Sequence, residues 1–115
     1  MPRALGEFEQ LILFALVDLG EGAYGAAIGR SIEERTGRQV SAGAVYTALD
    51  RLTKRGYVRA RVGRPTPERG GRRKKYYRIE PEGAAELHRS IEAIRTMSKG
   101  LMPTIEAIVA GHSGE

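Results

Sequence analysis

The sequence predicts a mainly α-helical protein with one small β-hairpin, organised as a single domain of 115 residues. Three observations carry that prediction. Apolar residues recur at three- and four-residue spacing along the first half of the chain, the signature of helices that bury one face. Two short stretches flank a Gly- and Pro-rich centre as paired strands do: Tyr57–Val62, which alternates apolar and polar residues, and Lys75–Ile79. A last segment repeats apolar residues in steps of four and three, which is a heptad seam.

The first helix is expected over Glu7–Leu19, where Phe8, Leu11, Ile12, Ala15 and Leu16 form a stripe that Leu13, Phe14 and Val17 widen. A stripe this broad has to be covered on two sides, and a chain of this length has little to cover it with, so Phe8 and Leu11 are candidates for contact with a second copy. Gly20-Glu21-Gly22 ends the helix. A second helix is expected over Tyr24–Thr36 with Tyr24, Ile28 and Ile32 on one face. Gly25 and Gly29 cost it about 1 kcal/mol each relative to Ala, which suggests close backbone packing, with the first helix as a candidate neighbour. After a short turn, Ser41 is a good N-cap, because its hydroxyl can satisfy an orphan amide of a third helix. Val45, Leu49 and Leu52 then face the core, Ala42, Gly43, Tyr46 and Thr47 fall outside it, and Gly56 stops the helix.

In the first strand Val58, Ala60 and Val62 share one side; in the second, Tyr77 is expected inward beside Ile79. The connection from Gly63 to Lys74 contains three Gly, two Pro and five basic residues, and reads as a mobile hairpin tip. Pro81 suits the first turn of the last helix. Its seam runs through Leu87, Ile91, Ile94, Leu101, Ile105 and Ile108, with a kink or break expected at Gly100 and Pro103. A narrow seam at the end of a small domain points to contact between copies, with Leu87, Ile91, Ile94, Leu101 and Ile105 as the contact residues. Residues 1–79 thus form one unit, 80–110 a dimerisation helix within the same compact body, and 111–115 a frayed tail.

Charge is concentrated rather than spread. Of nineteen Lys and Arg residues, twelve lie between Arg51 and Arg78 against one acid, Glu68, which leaves seven bases against thirteen acids elsewhere. An acidic scaffold with one positive patch is what a polyanion selects, because each neutralised phosphate releases counterions. Cysteine is absent, which excludes disulfides, thiolate metal sites and thiol redox chemistry. The N-terminus lacks the order of a signal peptide, and the apolar run Leu11–Val17 is far too short to span a bilayer. The sequence reads as cytosolic, with no membrane partner.

Three helices followed by a basic hairpin describe a winged helix-turn-helix, in which the helix starting at Ser41 enters the major groove of double-stranded DNA. Its outer residues are small or hydroxyl-bearing: Ser41, Ala42, Gly43, Tyr46 and Thr47. They permit close approach and can donate to phosphates or base edges, but no Arg, Asn or Gln stands among them to read a base bidentately. Affinity should therefore come mainly from phosphate contacts, made by Arg64, Arg69, Arg72, Arg73, Lys74 and Lys75 in the hairpin, with Tyr76 outward. For Tyr46 the alternative is packing against the hairpin or the first helix.

The chain closely resembles the PadR family of bacterial transcriptional regulators. The resemblance rests on Gly6-x-Phe8-Glu9-x-x-Ile12-Leu13-x-Ala15-Leu16, Tyr24-Gly25-x-x-Ile28, Ser41-x-Gly43-x-Val45-Tyr46-x-x-Leu49-x-Arg51-Leu52, Gly56-Tyr57-Val58, and Gly71-Arg72-Arg73-Lys74-Lys75-Tyr76-Tyr77-Arg78-Ile79, then Gly83 and Leu87. It implies a homodimer whose C-terminal helices pack on the partner's N-terminal region, an inverted-repeat operator and repression of nearby genes. It assigns DNA contact to Ser41, Gly43, Tyr46 and the Arg72–Lys75 run; Arg51, within the same motif, joins the candidates. Two features depart from the family: Thr47 stands where Pro is frequent, and the short C-terminal segment has no tryptophan, which some relatives use to hold flat aromatic ligands. No small-molecule effector is identified.

Other signals carry less. Gly20-x-Gly22-x-x-Gly25 matches a dinucleotide-binding pattern but follows a helix, where that pattern needs a strand. His88 and His112 have no metal-ligand spacing, and no arrangement suited to catalysis stands out, so neither cofactor nor enzymatic activity is expected. The competing readings are a winged-helix module for RNA or non-specific DNA, with Tyr46, Tyr57 and Tyr76 as stacking candidates, and a module that binds only an acidic protein.

Overall fold

Helix α1 (Glu7–Leu19) begins where the Gly6 amide donates to the Glu9 carboxylate at 2.8 Å, which satisfies an otherwise orphan donor. In this computed structural model, which describes residues 4–63 and 74–113, α1 is followed by a single 3-10 turn (Gly20–Gly22) and by α2 (Gly25–Thr36). Gly20 and Gly37 close α1 and α2 at φ +57° and +72°, conformations that a Cβ disfavours. Helix α3 (Ala42–Lys54) carries its expected cap: Ser41 Oγ accepts from the Ala44 amide at 3.1 Å.

Strands β1 (Val58–Val62) and β2 (Lys75–Ile79) pair antiparallel, from Val58 opposite Ile79 to Val62 opposite Lys75. Tyr77 points inward as expected, and burial raises the pKa of its phenol above the ordinary value. The inner row of β1 leaves the core as it climbs: Val58 is buried, Ala60 half-buried and Val62 exposed.

The core is one cluster in which Ile12, Leu13 and Leu16 of α1, Ile28 of α2, and Val45, Leu49 and Leu52 of α3 are fully enclosed, with Val58, Tyr77 and Leu87 at its edge. Two expectations about α2 are corrected. Tyr24 is not its first helical residue: it is the extended N-cap, and it bridges to Tyr76, while the neighbouring Ala23 carbonyl accepts from the Tyr77 amide at 2.8 Å. The chain therefore adds a third, two-residue edge to the hairpin, and that pairing holds Tyr24 out of the helix. The close approach at Gly25 is to Tyr46 of α3, whose ring and hydroxyl occupy the space a Cβ would need; Gly29 lies against Val40. Neither glycine serves packing on α1.

Helix α4 (Pro81–Ser98) docks through Gly83, which is buried and leaves no room for a Cβ beside the Tyr57 carbonyl. The Glu80 amide donates to that same carbonyl at 2.8 Å. Gly83→Ala should therefore destabilise the fold by about 1–3 kcal/mol through overpacking, despite the roughly 1 kcal/mol that Ala gains in helix propensity. A melting temperature at or above that of the wild type would show that the contact relaxes freely.

The expected break is present: α4 ends at Ser98, Gly100 takes φ +77°, and α5 (Met102–Ser113) restarts with Pro103 in its first turn. Helix runs through Gly111 and His112, beyond the point where the sequence suggests a frayed tail. The apolar seam is split as a result. Leu87 lies in the protomer's own core and Ile91 against it, whereas Ile94, Leu101, Ile105 and Ile108 are exposed. Every described side chain of α5 is exposed. The radius of gyration is 17.3 Å, against about 13 Å for a compact chain of this length, because α4 and α5 form an arm that leaves the body.

Candidate nucleic-acid interface

Helix α3 divides cleanly between core and surface. Ser41, Ala42, Gly43, Tyr46, Thr47 and Arg51 are all exposed, while Val45, Ala48, Leu49 and Leu52 are buried. Gly43, Thr47 and Arg51 border the start of α1 along a shallow groove with Gly6, Glu7 and Phe8. Tyr46 lies on the other side, over Gly25, and remains half-exposed. Its ring packs over Gly25 of α2, and it also acts electrostatically on Tyr77 of the hairpin. Asp50, one turn beyond Tyr46, is held by Lys54 at 3.0 Å.

Arg64, Arg69, Arg72 and Arg73 lie outside the described residues. What is described is the root of the wing, and it is more ordered than a charge count implies. Lys74 Nζ sits 4.1 Å from the centre of the Tyr24 ring, and Tyr76 meets that ring edge-on at 5.8 Å and 78°. Arg61 covers the Tyr76 ring at 4.8 Å and reaches the Glu21 carboxylate at 3.3 Å. Gly63 gives Tyr76 its room, since a Cβ there would meet the ring. Arg30 of α2 donates to the Tyr24 hydroxyl at 2.9 Å. That hydrogen bond, then the charges of Arg30 and Lys74, hold the phenol's pKa below its ordinary value. Lys75 lies 5.8 Å from the Tyr77 ring.

The described part of the basic window is not uniform. Lys54, Arg59, Arg61 and Arg78 are paired with Asp50, Glu80 and Glu21, and part of their charge is spent inside the protein. Among the described residues no ion pair involves Arg51, Lys74 or Lys75, nor Arg30 outside the window. The sequence reading missed Tyr24 and Arg30. Tyr24 looked like a core position on a helix, and Arg30 is a lone base on an otherwise ordinary helix. Tyr24 stands in the Tyr24-Gly25-x-x-Ile28 motif, which marks the position without assigning it a contact; no local signal marks Arg30.

Phe8 and Leu11 are half-buried against the core, while Phe14 and Val17 of α1 are exposed. Leu11, Phe14 and Val17 line an apolar groove between α1 and α2 with Ile32, closed by the Asp18–Arg35 pair at 3.9 Å. Among the described residues no helix is long and apolar enough to cross a membrane.

Helices α2 and α3 with a two-stranded wing, built on α1, define a winged helix-turn-helix. Residues 12–89 match the model of the Transcriptional regulator PadR-like family. The chain belongs to that family. Solved structures agree. A transcriptional regulator from Clostridium thermocellum is 30% identical over 79% of this chain and 82% of its own, with a TM-score of 0.65. A PadR family transcription regulator from Clostridium difficile matches in fold at a TM-score of 0.71, with 24% identity over 87% of this chain and 99% of its own. Bacillus subtilis PadR, solved in complex with operator DNA, is 26% identical over 73% of this chain and 46% of its own, at a TM-score of 0.63. No curated protein matches the chain.

Proposed function

We propose that this PadR-family regulator is a homodimeric repressor that binds an inverted-repeat DNA operator. The observation that carries the reading is the juxtaposition of an exposed, small and hydroxyl-bearing face on α3 with the unpaired cations Arg51, Lys74 and Lys75. The α3 face enters the major groove, where Tyr46 and Thr47 meet base edges and Ser41, Ala42 and Gly43 let the backbone approach; the wing cations, with Arg64, Arg69, Arg72 and Arg73, follow the phosphates. Residues 1–79 form the DNA-binding unit and 80–110 the dimerisation segment. Two-fold symmetry of the dimer then dictates the inverted repeat. The operator complex of Bacillus subtilis PadR supports duplex DNA as the ligand class. So does the partial occupation of two of the three stacking candidates: Arg55 lies over Tyr57 at 4.7 Å as Arg61 lies over Tyr76 at 4.8 Å, which takes a ring face from each that single-stranded bases would need.

Dimerisation is supported by apolar surface that the protomer leaves uncovered: Phe14 and Val17 on α1, and Ile94, Leu101 and Ile105 on the arm. Phe8, Leu11 and Ile91 border these surfaces, and Leu87 anchors the arm from inside the core. No effector is part of the proposal.

Titration against the DNA upstream of the protein's own gene, with a scrambled duplex as competitor at two salt concentrations, tests the function. Preference for the upstream DNA by about a thousandfold or more is expected; equal affinity for both overturns sequence-specific regulation at that site. Two substitutions should then behave differently. Lys75→Gln should weaken binding on every duplex and reduce the salt slope by about 1, whereas Thr47→Val should weaken the upstream site preferentially. Indistinguishable effects across several duplexes would show that phosphate and base contacts are not divided between wing and helix as proposed.

A further inference from the structure

We propose that Tyr24 is a positioning residue that gathers Arg30 from α2 and Lys74 from the wing root into one seat for a backbone phosphate of the bound duplex. The inference rests on the DNA-binding reading and adds to it a contact made by neither α3 nor the wing tip.

Four observations converge on Tyr24. Its backbone is extended and bridges Tyr76, so it belongs at once to the start of α2 and to the sheet. Its ring is fixed by the edge-on contact with Tyr76. On that fixed ring, Lys74 Nζ takes the face at 4.1 Å and Arg30 donates to the hydroxyl at 2.9 Å. The next residue, Gly25, is the one against which Tyr46 of α3 packs, so the cluster adjoins the helix face proposed to enter the groove.

Two cations held on one ring repel each other, and among the described residues neither makes an ion pair, although Glu33 and Glu34 follow Arg30 by three and four residues on α2. This differs from the arginines of the sheet. Arg59, Arg61 and Arg78 each have a carboxylate within 4.0 Å. A ring can orient cations but cannot neutralise them, so the pair stays available to an anion from outside. The phosphodiester suits it: one negative charge, with two free oxygens for a guanidinium and an ammonium. The contact carries no sequence information. It fixes the angle between wing and groove, because one donor comes from the root of the wing and the other from α2, on which α3 packs.

The test is the salt dependence of binding by the full chain to a scrambled duplex and to the upstream DNA. The double variant Arg30→Gln/Lys74→Gln should flatten the slope of log K against log salt by about 0.9 on both duplexes, the value for one lost phosphate. Tyr24→Leu should flatten it similarly and have no further effect in the double variant. Tyr24→Phe keeps the ring under Lys74 and removes the acceptor for Arg30, so it should lose less. Melting curves separate a folding defect in Tyr24→Leu from a binding defect. The two glutamine substitutions are on exposed side chains and keep the test valid if Tyr24→Leu fails to fold. A wild-type slope in the double variant overturns the seat and leaves DNA binding standing. A slope flattened by twice the expected amount overturns the sharing of one phosphate. A wild-type chain that binds neither duplex overturns the function itself and the seat with it.

Discussion

Ile105→Glu is expected to turn the protein from a dimer into a monomer and, with it, to remove tight binding to a two-half-site operator. Ile105 lies on α5, whose described side chains are all exposed, so the protomer's own core does not depend on it. In the proposed dimer the residue is buried twice, once from each copy. A central apolar contact is worth about 2 kcal/mol or more when truncated, and a carboxylate in its place adds the cost of an uncompensated charge. Two copies together imply at least about 4 kcal/mol, a weakening of the dimer by roughly a thousandfold or more. Light scattering at micromolar protomer should report half the wild-type mass, with the far-ultraviolet dichroism of a folded protein. Ile94→Glu, which places charge on the α4 half of the seam, should act in the same direction. If both variants keep the wild-type mass, the arm is not the interface.

Leu49→Ala is expected to cost about 3–5 kcal/mol of folding free energy, the range for a fully enclosed leucine whose cavity cannot collapse. Leu49 is 0% exposed and lies on the inner face of α3, behind Tyr46 and Thr47. Against the roughly 5–15 kcal/mol that holds a domain of this size together, that loss is large. It also loosens the helix proposed to meet DNA. Urea unfolding at fixed protomer concentration should show the midpoint lowered with little change in slope; fixing the concentration matters because dimerisation itself adds stability by mass action. A cost below about 1 kcal/mol would mean that the neighbouring helices close the gap, contrary to the close packing expected of the enclosed core cluster to which Leu49 belongs. DNA affinity measured well below the melting temperature separates the two substitutions. Leu49→Ala loses binding as it unfolds, and Ile105→Glu loses it while folded.

Much of the architecture is local in origin and was legible for that reason. The bounds of α1 at Glu7 and Leu19, the Ser41 cap, the second strand at Lys75–Ile79, the inward Tyr77 and the break near Gly100 each follow from signals within a few residues: apolar periodicity, a hydroxyl before a helix, alternation, and residues that take or refuse particular dihedrals. The three-helix order and the wing follow from reading those elements in sequence. So does the position of the α3 outer face, since a helix that buries Val45, Leu49 and Leu52 must turn Tyr46 and Thr47 away.

What tertiary structure decided is which of several equivalent residues meets which partner. Tyr24 has the spacing of a core residue on α2, yet pairing with Tyr76 holds it extended and brings Arg30 and Lys74 onto its ring. Twelve basic residues look alike in a charge count, but acids distant in sequence, Glu21 and Glu80, neutralise some and leave others free. Leu87 and Ile94 occupy equivalent rungs of one heptad seam, and only the extent of the core places the first inside and the second in solvent. Periodicity records which residues share a face. It carries no information about how far the opposing surface reaches, because that surface is assembled from segments remote in the chain, and its edge exists only once they have packed.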